Sequence, residues 1–269
     1  VYAEVRMAPE LVTQKGLTLS QAIEAILEGF REGEEEAKSE GNVIRMASLL
    51  CGMRQNNLSQ EVAELAVKYR DQGVVGFDIA GPEDGFPPSD QLDTFEYLRR
   101  ENAHFTIHAG EAYGLPSIWE AIQLCGAERL GHGVRIADDI LSSRSEGDRD
   151  FVELGEVAEW VHFRQIPLEL SPSSNLQTGA VSEWGTEMVD HPFDILYQLG
   201  FMVTVNPDNR LMSGTSITRE LELLTKAFEY DLEDLQQFQL NAAEATFQSL
   251  EAREELIEQV LRGFKKAGL

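Results

Sequence analysis

The sequence contains few cysteines: only two of its 269 residues, Cys51 and Cys125. They stand far apart in apolar surroundings, and neither belongs to a Cys-x-x-Cys pair. A disulfide framework or a zinc site built from thiolates is therefore not expected. Because a chain without a disulfide framework suits a reducing compartment, we predict a cytoplasmic protein.

Long apolar runs and basic residues are also scarce. No apolar stretch approaches the roughly 20 residues of a transmembrane helix, and no signal peptide is visible. The 22 Lys and Arg residues face 47 Asp and Glu residues, which gives a formal net charge of −25. Nucleic acid and anionic membranes would repel so acidic a chain, so we predict neither as a partner.

Several familiar catalytic motifs are missing from the chain. The phosphate-binding patterns GxGxxG and GxxxxGK[ST] do not occur, and no G-x-S-x-G turn supports a serine nucleophile. The zinc-deaminase signature of enzymes acting on nucleic acids, H-x-E with P-C-x-x-C, is also missing. These absences narrow the search to chemistry carried by histidines and carboxylates.

The chain repeats one pattern, in which a short apolar run is followed by a polar turn and an amphipathic stretch of helical spacing. Strands that alternate with helices predict a parallel sheet, and near-continuously apolar strands predict burial on both faces. The seven strand candidates are Val1–Met7, Val43–Leu50, Val74–Ile79, His104–His108, Arg129–Gly133, Ile166–Leu170 and Met202–Val205. From Ser216 onward the pattern is helical, with helices predicted at Arg219–Phe228, Leu232–Phe247 and Ala252–Lys266.

Each predicted strand ends in a polar or glycine-rich turn, and this feature distinguishes between two folds that contain a parallel sheet. A doubly wound open sheet concentrates its polar groups at one crevice, whereas a (β/α)₈ barrel collects them from every strand end. We therefore predict an α/β fold, a (β/α)₈ TIM barrel lacking its first strand in this chain. We expect one domain over residues 1–269, incomplete at the N-terminus, because Val1 already lies inside a predicted strand.

Histidines and carboxylates follow three of these strands. His108 and Glu111 close one strand, glycines flank His132 at the end of the next, and Asp208 follows an apolar run. A lone histidine at a strand end is more often a structural residue, but two histidines and two carboxylates from three strand ends favour a metal-assisted hydrolytic site.

The order of the motifs is more specific than their composition. Five motifs follow one another along the chain: Gly76-Phe77-Asp78-Ile79-Ala80-Gly81, His108-Ala109-Gly110-Glu111, Arg129-Leu130-Gly131-His132-Gly133, Leu170-Ser171-Pro172-Ser173-Ser174-Asn175 and Asn206–Leu211. This series resembles the adenosine deaminase family of metal-dependent hydrolases, and the resemblance runs from Val1 to the terminal helices.

The resemblance implies separate roles for the residues at the strand ends. His108 and Asp208 would be ligands of one Zn²⁺ per subunit. Glu111 would protonate N1 of a purine while metal-activated water attacks C6, and His132 would orient that water. These roles agree with the chemistry, because zinc lowers the pKa of bound water to about 7 and the ring must accept a proton.

The resemblance also implies substrate contacts. Gly81 would donate its backbone N–H to N3 of the purine, and Asp78 would be a supporting carboxylate beside the site. The aspartate that many members carry next to the zinc aspartate is Asn209 in this chain, where an amide would face N7.

One expected element of the metal site is missing from the chain. The family's other two zinc histidines form a His-x-His on the first barrel strand, and no His-x-His occurs in these 269 residues. We expect these ligands upstream of Val1. His104, His162 and His191 are not expected to replace them, since the last two lie in helical contexts.

The resemblance therefore implies a zinc-dependent enzyme that converts adenosine, and also 2′-deoxyadenosine, to inosine and ammonia in purine salvage. It also implies a purine nucleoside as the partner. Two alternatives remain open. One is a deaminase of adenine or another 6-aminopurine, and the other is a binding module that lost activity with its first strand.

Overall fold

The computed structural model of the protein describes residues 1–146 and 149–269. These residues group into two compact units, one of residues 1–107 with 124–127 and one of residues 108–123 with 128–269. The single domain over 1–269 stays a prediction. Among the described residues, no helix combines the length and the apolar character needed to cross a membrane.

The first unit contains a three-stranded parallel sheet in the order β1-β2-β3. Its strands are β1 (Tyr2–Met7), β2 (Arg45–Met53) and β3 (Val74–Ala80). The middle strand is buried from Ala47 to Gly52, as expected for a parallel strand that is covered on both faces. All three strands were predicted, and β2 extends three residues beyond its predicted end.

Helices follow each strand of this sheet: α1 (Leu19–Ser39), α2 (Ser59–Lys68) and α3 (Leu92–Arg100). Thr18 and Gln21 form a reciprocal capping box at the start of α1. The buried residues of α1 are Ala22, Ile23 and Leu27, which lie on the apolar face that the spacing predicts.

The next strand runs from the first unit into the second, and the second unit holds the remaining strands. These are β4 (Thr106–Ala109), β5 (Arg129–His132), β6 (Ile140–Glu146), β7 (Arg149–Leu154), β8 (Leu168–Leu170) and β9 (Val203–Val205). A four-stranded sheet has the order β4-β5-β8-β9, with β5, β8 and β9 parallel. The four strands of this sheet were predicted, so all seven predicted strands are confirmed.

Two strands were not predicted. β6 and β7 pair in antiparallel register, from Ile140 opposite Leu154 to Glu146 opposite Arg149. The repeated pattern predicts a helix between β5 and β8, and one forms at Glu156–Arg164. The pattern does not indicate the hairpin before it, because these two strands are too polar to show apolar alternation. Its pairing rests on backbone hydrogen bonds between the two strands, which leave no apolar signature.

The helices of the second unit are α4 (Leu115–Trp119), α5 (Glu156–Arg164), α6 (Pro172–Thr178), α7 (Phe193–Gln198), α8 (Arg210–Ser213), α9 (Ile217–Phe228), α10 (Leu232–Glu244) and α11 (Leu250–Ala267). The last three correspond to the three helices predicted at the C-terminus. Short 3₁₀ turns lie at Pro9–Val12, Arg70–Gln72, Pro88–Gln91, Val134–Asp139 and Met188–Asp190, and a π-helical turn lies at Glu120–Cys125.

A buried ion pair ties the strands of the second unit to the segment between α10 and α11. Arg129 Nε of β5 lies 2.8 Å from Glu169 Oε1 of β8, and both side chains are less than a tenth exposed. The same guanidinium stacks 3.5 Å from the ring centroid of Phe247 and donates to the Ala245 carbonyl at 2.7 Å. The Arg129 guanidinium thus contacts both a neighbouring strand and the segment between the terminal helices α10 and α11.

Candidate active site

The strand ends of the second unit place most of the predicted site residues along one sheet edge. His108 lies in β4, with Glu111 directly after it, and His132 is the last residue of β5. Asp208 and Asn209 follow β9. Because parallel strands end at the same edge of a sheet, this edge collects side chains from positions distant in sequence.

Glu111 and His132, the predicted catalytic pair, are neighbours. Glu111 Oε2 lies 3.5 Å from His132 Nε2, and Glu111 Oε1 accepts a hydrogen bond from Thr178 Oγ1 at 3.0 Å. The His132 side chain is 4% exposed and that of Glu111 is 25% exposed. A partly exposed carboxyl group and a buried imidazole therefore face one another.

His108 packs against the same imidazole. The rings of His108 and His132 meet edge to face, with centroids 5.2 Å apart. Gly131 makes this approach possible, because a Cβ at that position would lie 2.9 Å from His108 Nδ1 and 3.0 Å from His108 Cα. The sequence had suggested that the glycines beside His132 admit a ligand or another backbone, and at Gly131 the neighbour is His108 itself.

The other nitrogen of His132 faces a buried polar chain. Asn175 Nδ2 lies 3.0 Å from His132 Nδ1, and Asn175 Oδ1 lies 3.3 Å from His191 Nε2. His191 Nδ1 in turn accepts from the backbone N–H of Phe193 at 3.0 Å. His191 was expected in a helical context, whereas it lies between the 3₁₀ turn Met188–Asp190 and α7.

Two of the site residues have left-handed backbones. His132 has φ 60° and Asp208 has φ 52°. The other described non-glycine residues with positive φ are Asn102, Gln165 and Glu229, which all follow the ends of helices. A left-handed residue at a helix end is ordinary, but at a strand end it costs of order 1 kcal/mol and is typical of functional sites.

Asp208 and Asn209 lie at the exposed rim after β9. Asp208 Oδ2 accepts from Ser174 Oγ at 2.7 Å. Asn209 is the N-cap of α8, where its side-chain oxygen accepts from the backbone N–H of Met212 at 3.3 Å. Its amide N–H₂ group remains the one that could meet an acceptor on a substrate, and this predicted contact stays a prediction.

Asp78 and Gly81 lie at the carboxyl end of β3 in the first unit. Asp78 is fully buried, with Arg6 Nε 2.8 Å from its Oδ2 and Cys51 opposite it on β2. Gly81 has φ 104°, a backbone conformation that residues with a side chain rarely adopt. Their predicted roles, a supporting carboxylate and a backbone donor to N3, stay predictions.

The predicted metal donors do not by themselves complete a metal site. Within the described part of the chain, no group of three His, Cys, Asp or Glu side chains is placed to hold a metal ion. Catalytic zinc is ordinarily held by three protein ligands with a fourth position left for water. His108 and Asp208 therefore supply an incomplete donor set.

Four residues of the site were missed by the sequence reasoning: Ser174, Asn175, Thr178 and His191. Three of them lie in α6. Ser174 and Asn175 belong to the Leu170–Asn175 motif that carries the family resemblance, and Thr178 lies three residues beyond it, so the motif was a usable signal for these three. His191 had no comparable signal, since its partner Asn175 lies 16 residues away in another element.

Solved structures with the same fold are known. The adenine deaminase from Arthrobacter aurescens has a TM-score of 0.80 at 22% identity, over 98% of this chain and 74% of that chain. An amidohydrolase from Burkholderia ambifaria, solved with bound Zn, has a TM-score of 0.80 at 20% identity, over 98% and 68% of the two chains. This likeness confirms the predicted fold class, a (β/α)₈ barrel.

Relatives of higher identity are found among curated proteins. Adenosine deaminase 1 of Streptomyces coelicolor is 56% identical over 262 residues, which cover 97% of this chain and 64% of that protein. The adenosine deaminase of Mycobacterium ulcerans is 52% identical, over 97% of this chain and 70% of that protein. The chain thus spans roughly two thirds of the length of these relatives. A family model described as adenosine deaminase matches residues 1–262, and the chain belongs to the adenosine deaminase family.

Proposed function

We propose that the protein to which this chain belongs hydrolyses adenosine, and 2′-deoxyadenosine, to inosine or its deoxy counterpart and ammonia. The family assignment and the identity of 51–56% to proteins named adenosine deaminase support the substrate. The single observation that carries the chemistry is the contact between Glu111 and His132, since it joins a carboxyl group to an imidazole at adjacent strand ends.

The two residues have complementary tasks in this proposal. Water adds to C6 of the purine, and Glu111 delivers a proton to N1 so that the ring can accept the new bond. The C6–N bond then breaks: one proton of the added water leaves with the amino group as ammonia, and the other replaces the proton that Glu111 gave to N1. His132 lies beside Glu111 and holds the attacking oxygen in line, which is a positioning contribution of the kind that general acid–base sites require.

Thr178 fixes the acid in this arrangement. Its hydroxyl donates to Glu111 Oε1 at 3.0 Å, which leaves Oε2 directed toward His132. Because a protonated carboxyl has one donor and several acceptor sites, this contact at Oε1 favours the proton on Oε2. Gly81 and Asn209 are proposed to contact N3 and N7 of the purine, with Asp78 as a supporting carboxylate.

We propose Zn²⁺ as the metal, with His108 and Asp208 as two of its ligands and two further histidines outside these 269 residues. When bound, zinc would activate the attacking water. A donor set of two binds zinc weakly, so we expect the 269-residue chain to lose Zn²⁺ on gel filtration. The same chain extended by the residues encoded directly before Val1 should retain about one Zn²⁺ per subunit. Equal retention by both chains, measured by atomic emission, contradicts this ligand assignment.

The activity test compares E111Q with wild type in the extended chain. Glutamine keeps the shape of Glu111 but cannot donate the proton, so we expect kcat to fall by roughly 10²–10⁴-fold. The matched control is E222Q, which makes the same change on the exposed face of α9 and should keep wild-type activity. Loss of adenosine absorbance gives the rate.

Three outcomes would contradict the proposal. Consumption of adenine with adenosine left untouched would assign the chain to the adenine deaminases, whose fold it shares. A folded, zinc-loaded extended chain that acts on neither substrate would make it a binding module. Full activity of E111Q would remove the acid role from Glu111. We also propose a cytoplasmic location, with which the two buried cysteines outside any disulfide agree.

A further inference from the structure

A line of buried polar groups runs from the start of α7 to His132. Its members are the backbone N–H of Phe193, then His191, Asn175 and the Nδ1 atom of His132. The three side chains are among the most buried polar groups of the second unit: Asn175 is 0% exposed, His191 2% and His132 4%. Since Asn175 and His191 are almost completely buried, their hydrogen bonds must be made within the protein.

The direction of the first bond is fixed by chemistry. A backbone N–H can only donate, so His191 Nδ1 must be an acceptor and carries no proton. Burial also lowers the pKa of His191 to about 3, so the ring is neutral at physiological pH. A neutral imidazole has one N–H, and that proton is therefore on Nε2.

The second bond follows from the first. His191 Nε2–H points to the side chain of Asn175, and a donor must meet the oxygen of that amide. The backbone N–H of Ser171 donates to the same oxygen at 3.3 Å, which fixes the amide in this orientation independently. The amide nitrogen Nδ2 is then the atom that faces His132, and it donates to Nδ1 at 3.0 Å.

We propose that His191 and Asn175 are positioning residues that hold His132 in the tautomer with its proton on Nε2. Nε2 is the nitrogen that faces Glu111. The inference deepens the proposed function and rests on it for one consequence: His132 meets the attacking oxygen as a hydrogen-bond donor. If these buried groups contributed to packing alone, the tautomer of His132 would not depend on them. The position of the His132 ring proton therefore distinguishes the two roles.

The tautomer can be read on the 269-residue chain without metal or substrate. In ¹⁵N-histidine-labelled protein at pH ~8, above the ordinary histidine pKa, long-range ¹H–¹⁵N correlation separates protonated from unprotonated ring nitrogens. The chain has five histidines, and single His→Asn variants assign the signals. We expect a protonated Nε2 and an unprotonated Nδ1 for both His132 and His191. A proton on Nδ1 of His132 in the wild type overturns the proposal without any variant.

N175D tests the middle of the chain. The carboxylate still accepts from His191 and Ser171 but cannot donate, so the His132 proton should move to Nδ1. The matched control is N241D, which makes the same change at another buried asparagine of the second unit, where the amide donates to the Val203 carbonyl at 2.9 Å. His132 signals should stay unchanged in N241D. Unchanged His132 signals in folded N175D would overturn the role of Asn175.

H191N tests the role of His191, which lies at the other end of this row of hydrogen bonds from His132. It also provides a test if N175D does not fold. Asparagine can still accept from Phe193 N–H but has no group in the place of Nε2–H. We expect the His132 signals to shift toward a mixture of tautomers, and unchanged signals would overturn the role of His191. Failure of the proposed activity would leave these spectra unaffected, so the two hypotheses fail separately.

Discussion

His191 couples the stability of the fold to pH. Burial lowers its pKa from the ordinary 6.5 to about 3, so the unfolded chain binds a proton that the folded chain excludes between these two values. The sign follows directly: the stabilisation is complete above pH 6.5 and is lost as the pH falls from there toward 3. Between pH ~7 and ~5 this one group should lower the free energy of unfolding by roughly 2 kcal/mol.

H191N removes this titration. In urea titrations at several pH values, the wild type should lose stability on acidification more steeply than H191N, whatever the offset between them at pH ~7. Parallel pH profiles for the two proteins would show that His191 is not the neutral buried group described above. The comparison cancels the titration of the many carboxylates that both proteins share.

At the scale of single residues, the sequence predicted the site side chains that follow the strands but not the buried residues that hydrogen-bond to them. His108, Glu111, His132 and Asp208 stand in short motifs with an apolar run before them, which marks a strand end. Asn175 lies 43 residues from His132 in the chain, and no local pattern connects the two. A hydrogen-bond partner is selected by tertiary proximity, which a motif does not encode.

At the scale of elements, the Arg129–Glu169 pair joins β5 to β8 and, through Phe247, to the segment before α11. Both groups are less than a tenth exposed. R129M should therefore cost about 3–5 kcal/mol, because it leaves a carboxylate buried without its cation. Adding E169L to R129M should restore most of that loss, since two apolar side chains need no partner.

The control for this cycle is an exposed ion pair of similar chemistry. Arg262 and Glu258 pair on α11 at 2.9 Å with both side chains more than half exposed, so R262M should cost less than about 1 kcal/mol. Chemical denaturation of the wild type, R129M, the R129M/E169L double variant and R262M gives the comparison. An R129M cost no larger than that of R262M would mean that the buried pair does not organise the sheet.

Element prediction succeeded where burial leaves a pattern and failed where it does not. The parallel strands carry apolar runs because both of their faces are covered, and the long terminal helices carry apolar positions at three- and four-residue spacing. The β6–β7 hairpin has neither signature. No strand was predicted for its residues, although the chain forms backbone pairing between two polar strands there.

At the scale of the whole molecule, the net charge of −25 sets how stability responds to salt. Like charges repel one another across the surface, and the folded state brings them closer together than the unfolded state does. Raising NaCl from ~0.05 to ~0.5 M shortens the screening length severalfold, so the melting temperature should rise. KCl at equal ionic strength should give the same gain, and a melting temperature that falls with either salt contradicts the expectation.

The left-handed backbones at His132 and Asp208 also bear on how this chain evolves. Glycine, and to a lesser degree asparagine, adopts such a conformation at lower cost, a difference of order 1 kcal/mol at each position. Selection for folding alone would thus replace both residues. In a descendant that no longer needs catalytic activity, these two positions should be among the first to change. Glycine or asparagine at both positions would then indicate a homologue that keeps the barrel fold but lacks the catalytic activity.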